Sequence, residues 1–171
     1  PRDAMNRSLS KMLNEFREHW KNYVFQSLLG ALVVFLLLWL LQAENLIIVA
    51  SIGSTAFIVF AMPKSLTAQP RNVVGGQLTG LACGTLAAAL AHSSAMAPAG
   101  GLVQPALYSG GVGLSIFLMV VLDTEHPPAS GTALGIAIRG VSLRSGLAVV
   151  LGVVVLSIVH RLLKHKLRDL T

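Results

Sequence analysis

The chain is expected to fold as an all-α membrane protein of about six helical segments, two of them short or broken. Three observations carry that expectation. Charged residues make up 12% of the 171 positions, about half the share usual in a soluble domain. Mean hydropathy is +0.71. Residues 22–43 hold no charge, and such a run is long enough to cross ~30 Å of hydrocarbon.

Taken in order, residues 5–22 read as a basic amphipathic helix. Met5, Leu9, Met12, Leu13, Phe16 and Trp20 recur at helical spacing with Lys, Arg and Glu between them. Such a helix suits a membrane surface, with partner or oligomer contact as the alternative. Apolar segments follow at 24–41, 46–62, 73–91, 102–122, 127–138 and 146–163, joined by short linkers. Residues 1–22, 23–165 and 166–171 thus divide into an N-terminal helix, a transmembrane domain and a basic tail. Segment 127–138 is too short: its residues rise ~18 Å, well under a membrane span. It is expected to re-enter, or to begin as a half-helix inside the membrane. No cleavable signal peptide is expected, because the stretch before Asn22 is too long and too polar. Cys83 stands alone in an apolar run, so no intrachain disulfide can form.

The net charge of +6 is not read as a nucleic-acid signal. Arg2, Arg7, Lys11, Arg17 and Lys21 precede the first span, and Arg161, Lys164, Lys166 and Arg168 follow the last. Basic clusters beside spans belong in the cytoplasm by the positive-inside rule. Both termini are therefore expected there, which requires an even number of crossings. The stretches "ASIGSTAFIVFAMP" (50–63) and "PPASGTALGIAIRG" (127–140) each place a small-residue box before a short apolar run and a basic loop. The chain then reads as two copies of long helix, broken helix, basic loop, long helix. Three crossings per copy would make the copies an inverted 3+3 repeat, a recurrent transporter plan. Chance similarity in Ala/Gly/Ser-rich sequence is the alternative. Gly76, Gly80, Gly84 and Ala88 form a stripe at intervals of four, suited to close helix packing.

The chemistry concentrates where the helices break. "LDTEHPPASGTALG" (122–135) brings Asp123, Glu125 and His126 to the edge of an apolar run and then breaks it with Pro127 and Pro128. Proline suits a helix's first turn, so a helix is expected to start here with the N–H groups of Ala129, Ser130 and Gly131 free. With the hydroxyls of Ser130 and Thr132 they suit a small anion; Ser51, Gly53, Ser54 and Thr55 would supply the facing half. Small residues equally serve packing, and Ser/Thr hydroxyls often bond their own helix. Arg71 and Asn72 would attract anions at the mouth or anchor the interface. Asp123, Glu125 and His126 suit proton relay, since His changes charge near neutrality, or lie at the membrane interface if the break is shallow. As metal ligands they form a weak set lacking a helical His pair, and no metal or cofactor is expected. No paired nucleophile and base stands out, so enzyme activity is not expected.

"ASIGSTAFIVF", "AQPRNVVGG" and "EHPPASGTALG" together resemble the integral-membrane HPP family, named for His-Pro-Pro, here His126-Pro127-Pro128. The resemblance covers about residues 24–163, with the three motifs in order. It implies a multi-helix membrane protein of bacteria, with relatives in plastid envelopes, implicated in nitrite transport. Motif by motif it points to Ser51, Gly53, Ser54, Thr55, to 68–72 including Arg71 and Asn72, and to 126–132. Asp123 and Glu125 depart from the expected pattern, because two acids there would repel an anion unless neutralised. The expectation is transport of a small inorganic anion, nitrite first, across a bacterial inner membrane by a homo-oligomer, with proton coupling. An uncoupled anion channel and a non-transporting scaffold or sensor acting through residues 5–22 are the rivals.

Overall fold

Helix α3 (Pro70–Ala91) lies beside the short helix α5 (Pro128–Arg139) with almost no space between their backbones. A methyl added at Gly76 would fall 2.6 Å from His126 Cβ, one at Gly84 would fall 2.5 Å from the Ala133 carbonyl, and one at Gly80 would collide with the Ala129 carbonyl. The glycine stripe read in the sequence is thus the bed of α5. The computed structural model describes residues 2–41, 46–99 and 101–170, with side chains described for 11–40, 46–98 and 101–170. Glu44, and the side chains of Arg2, Met5, Arg7 and Leu9, lie outside those described residues.

Among the described residues there are six α-helices: α1 (Arg2–Leu41), α2 (Leu46–Ala61), α3, α4 (Val103–Val121), α5 and α6 (Leu143–Leu163). Four stretches among the described residues are long and apolar enough to cross a membrane: Lys11–Leu40, Pro70–Ala91, Val103–Val121 and Leu143–Leu163. Helices α2 and α5 are the short pair. Close contacts give the directions. Gly76, Gly80 and Gly84 meet His126, Ala129 and Ala133 in that order, so α3 and α5 run parallel. Gly111 meets Ala87 while Met119 reaches Gly76, so α4 opposes α3. Ile47 lies against Gly135 and Thr55 bonds His126, so α2 opposes α5. Each half of the chain is therefore long helix, short helix, long helix, with opposite sense in the two halves, the inverted arrangement expected of a 3+3 repeat. The apolar core lies among α1, α2 and α6, where Leu37, Ile52, Phe60, Val153 and Leu156 are buried together.

Several boundaries differ from the sequence expectation, each for a local reason. The surface helix expected over 5–22 ends a little earlier: His19 leaves the helical region (φ −121°, ψ 17°), and α1 is two helices joined across that kink. Its arm still exposes Met12, Leu13, Phe16 and Trp20. Helix α3 starts at Pro70, so Arg71 and Asn72 belong to its first turn and not to the linker; proline at the first helical position costs no backbone hydrogen bond. Helix α6 starts at Leu143 because Ser142 and Ser145 form a reciprocal cap, each side chain bonding the other's backbone N–H.

The tail beyond α6 packs back on the bundle. Arg168 N donates to Gln26 Oε1 (2.9 Å), Gln26 Nε2 donates to Arg168 O (2.8 Å), and Leu170 N donates to Ala61 O (2.9 Å). The Tyr23 hydroxyl donates to Leu170 O (3.1 Å). These bonds bring the start of the first span, the α2–α3 loop and the C-terminal segment to one end of the bundle. Gly140 and the start of α6 lie at the other.

Two expectations follow. Single cysteines at Lys64 and Arg144, in a Cys83→Ala background, should be labelled by an impermeant thiol reagent from opposite faces of a membrane; labelling of both from one face would contradict the fold. Gly80→Ala should destabilise the bundle by about 1–3 kcal/mol through overpacking, whereas Gly113→Ala, with nothing within 4 Å, should change little. Melting of the two variants in detergent compares them directly.

Candidate functional site

The break before α5 is built by helix termination and not by the prolines alone. Helix α4 ends with Thr124 N donating to Met119 O (2.9 Å) and Asp123 N donating to Val120 O (3.2 Å). Asp123 takes the left-handed conformation (φ 54°) that this ending demands, and aspartate tolerates it better than most residues. The loop then drops His126 into the bundle against Gly76.

His126 is fully buried and both ring nitrogens are engaged. Nδ1 lies 2.9 Å from the Thr67 carbonyl and Nε2 lies 2.9 Å from Thr55 Oγ1. A carbonyl can only accept, so Nδ1 carries a hydrogen. From Thr55 a polar cluster continues across three helices. Gln77 Nε2 donates to Thr55 Oγ1 (3.1 Å) and to Ser51 Oγ (3.3 Å). Thr132 Oγ1 donates to Gln77 Oε1 (2.6 Å). Ser51 Oγ donates to Pro128 O (2.6 Å) and lies 2.8 Å from Thr132 Oγ1. All five side chains are buried. The cluster ties the two short helices to each other and to α3 in a medium where an unpaired polar group is costly.

The charged residues stand apart from this cluster. Arg71 Nη1 donates to Asp123 Oδ2 (2.7 Å) and Nη2 to Leu122 O (3.2 Å). The two side chains are 64% and 65% exposed, so the pair adds little stability; its effect is to fasten the α4–α5 loop to α3. Asn72 Nδ2 donates to Glu125 O (3.3 Å) for the same result. Arg71 and Asn72, expected at an anion-attracting mouth, thus hold the loop that carries His126. Asp123 is neutralised by Arg71. Glu125 Oε2 and Thr124 Oγ1 are buried without a hydrogen-bond partner.

Of the anion-binding residues expected from the sequence, Ser51, Thr55, His126 and Thr132 meet in the cluster. Ser54 does not: its hydroxyl bonds Ala50 O in its own helix (2.9 Å) and faces outward. Gly53 lines a separate apolar cavity of about 520 Å³ between α1 and α2. The N–H groups of Ala129 and Ser130, expected to be free, donate to His126 O (2.9 Å) and Pro127 O (3.1 Å), because the turn at Pro127 already places carbonyls behind them. Gly131 and Ser54 instead line an open groove of about 500 Å³ between α2 and α5, with Ser51, Phe57, Pro127 and Pro128. Ser51 thus borders both the groove and the buried cluster. Gln77 is the residue that sequence reasoning missed. It lies one position after Gly76 in the glycine stripe, and a lone glutamine in an apolar segment was the available signal.

A helical bundle with paired short helices, a tight glycine bed and a buried polar centre defines an integral membrane protein whose polar groups converge inside the fold. The comparisons agree and are more specific. The family model described as HPP, transmembrane region, matches residues 16–167, and the chain belongs to that family. Two transmembrane proteins of Dictyostelium discoideum are similar to it. One is 36% identical over 105 residues, 61% of this chain and 34% of that protein. The other is 33% identical over 111 residues, 63% of this chain and 33% of that protein. The chain thus matches about a third of the length of these curated relatives. No solved structure matches it.

Gln77→Leu keeps the bulk and removes one bond each from Ser51, Thr55 and Thr132, which keep their other partners. Each lost bond costs about 0.5–1.5 kcal/mol. The variant should melt well below the parent in detergent, and below Leu78→Ala on the exposed face of α3. Equal stability of Gln77→Leu and the parent would show that the cluster does not hold α2, α3 and α5 together.

Proposed function

We propose that this chain carries a small inorganic anion across a bacterial inner membrane, with nitrite the first substrate to test. The observation that supports the reading best is the placement of Ser51, where the open α2–α5 groove meets the buried cluster of Ser51, Thr55, Gln77, His126 and Thr132. Polar side chains inside a membrane protein are costly and mark a function by default. Two short helices that oppose each other, each with a small-residue box, permit close approach of a small solute. Nitrite itself rests on the family resemblance; the groove supports only a small ligand held by hydroxyl and backbone groups.

In this reading the bundle end with Lys64, Arg161, Lys164, Lys166 and Arg168 faces the cytoplasm, together with both termini, as the positive-inside rule favours. Arg139 and Arg144 then face the other side. The α2–α5 groove opens on the outer surface of the bundle, so a homo-oligomer is part of the proposal. The scaffold reading has one observation of its own, the exposed Phe16 and Trp20 on the arm of α1. Flux separates the two.

Purified protein in liposomes should take up nitrite faster than protein-free liposomes, a necessary control because nitrous acid crosses bilayers unaided. Gly131→Val projects into the groove, where an added Cβ meets only Ser51 at 3.7 Å. It should fold normally and lower the protein-dependent flux tenfold or more. Uptake no faster than in empty liposomes, or full flux in Gly131→Val, would remove the groove as a substrate path.

A further inference from the structure

Thr55 has one hydroxyl hydrogen and two acceptors within reach. Ser51 O, one turn back in α2, lies 2.9 Å from Thr55 Oγ1, and His126 Nε2 lies at the same distance. Ser51 O is a helical carbonyl with a second lone pair, so it accepts the hydroxyl without needing it. On the neutral imidazole Nδ1–H donates to Thr67 O, Nε2 is an acceptor, and the Thr55 hydrogen turns to Nε2. On the cationic imidazole Nε2–H donates to Thr55 Oγ1, and the Thr55 hydrogen turns to Ser51 O. Thr55 Oγ1 then accepts from His126 and Gln77, which uses both of its lone pairs. Every bond in the set stays satisfied in both charge states, and only a hydroxyl rotates.

We infer that His126 binds the proton that travels with the anion, and that Thr55 is the positioning residue that lets this buried site hold either charge state. Few other groups face the imidazole. Helix α2 brings Thr55 and no ionisable side chain. The turn at 66–68 brings the Thr67 carbonyl. Helix α3 brings Gly76, while its Arg71 is held by Asp123. Helix α4 brings Met119, which shares the Gly76 contact with His126. From the same loop comes Glu125, whose Oε2 is buried without a hydrogen-bond partner. Gln77 donates to both Thr55 and Ser51 and so ties the residue that faces the imidazole to the wall of the groove. One titratable group in the cluster means one proton, so the ligand class is a small monovalent anion co-bound with one proton, and the passage is electroneutral. This deepens the transport reading of the groove and rests on it for the anion, though not for the proton.

The test uses the full chain, labelled with 15N-histidine, in lipid nanodiscs, with the His126 signals assigned by their loss in His126→Gln. In the parent, Nε2 should gain its proton within the range pH 5–9 while Nδ1 stays protonated throughout. Thr55→Val removes the acceptor of the charged form, and charge-assisted bonds are about twice as strong as neutral ones. The pH at which Nε2 is half protonated should therefore fall by about one unit, a tenfold change in proton affinity. Thr55→Ser restores the hydroxyl and should restore the midpoint. Unchanged titration in Thr55→Val, or proton exchange at Nδ1, overturns the assignment. Should Thr55→Val fail to fold, the parent alone decides: an imidazole that does not titrate between pH 5 and 9 also overturns it. Nitrite uptake into liposomes should rise from pH 8 to 6 in the parent and in Thr55→Ser, since by linkage anion binding takes up a proton, and should be flat in Thr55→Val. Absence of uptake at every pH removes the transport reading, whereas the titration judges the proton site by itself.

Discussion

Helix α5 can lie against α3 only because three successive turns of α3 present glycine. The contacts at Gly76, Gly80 and Gly84 leave no room for a side chain, and they set the depth at which the loop before α5 enters the bundle. Helix association in lipid lacks the hydrophobic drive available in water, so close packing and internal hydrogen bonds carry it instead. The same approach brings Thr132 within 2.6 Å of Gln77 and puts His126 opposite Thr55. A methyl at Gly80 would push α5 outward and open every one of those distances.

The polar cluster is the counterpart of that packing. It joins α2, α3 and α5 through buried side chains. Its fastening lies outside it, in the exposed Arg71–Asp123 pair and the buried Asn72 amide. Arg71 and Asn72 grip the α4–α5 loop from the first turn of α3. The division of labour is physical: the charged pair remains where water screens it, and uncharged donors and acceptors occupy the interior, where a net charge must be balanced. His126 is the ionisable member of the buried set, and its two bonded nitrogens define which states it can adopt.

The groove and the cluster meet at Ser51, which gives the inverted arrangement a functional consequence. Each half of the chain contributes one short helix, and because the halves have opposite sense the small-residue boxes of α2 and α5 face each other across Ser51 and Thr132. A site formed this way belongs to neither half alone. The C-terminal segment, bonded to Gln26 and Ala61, closes the bundle at the end that also carries His126, so that end is the more heavily braced.

What the sequence determined by itself was local. Apolar length marked the long helices, Pro127 and Pro128 with three ionisable residues before them marked the break, and a four-residue glycine interval marked a packing face, because each of these depends on neighbours along the chain. Membership of the HPP family was legible in the same way, from motifs in order. Only the tertiary structure decided which polar groups turn inward. Ser51 and Ser54 stand in one helix, yet Ser51 enters the cluster and Ser54 bonds its own backbone on the outer face. Arg71 reads as a free cation until Asp123, 52 residues on, is folded beside it. Gln77 carries no motif at all, and its place at the centre follows from the glycine beside it. In an apolar chain, lipid-facing and protein-facing surfaces have nearly the same composition, so hydrophobic periodicity does not report the direction a side chain points. Only the packing of α2, α3 and α5 supplies that information.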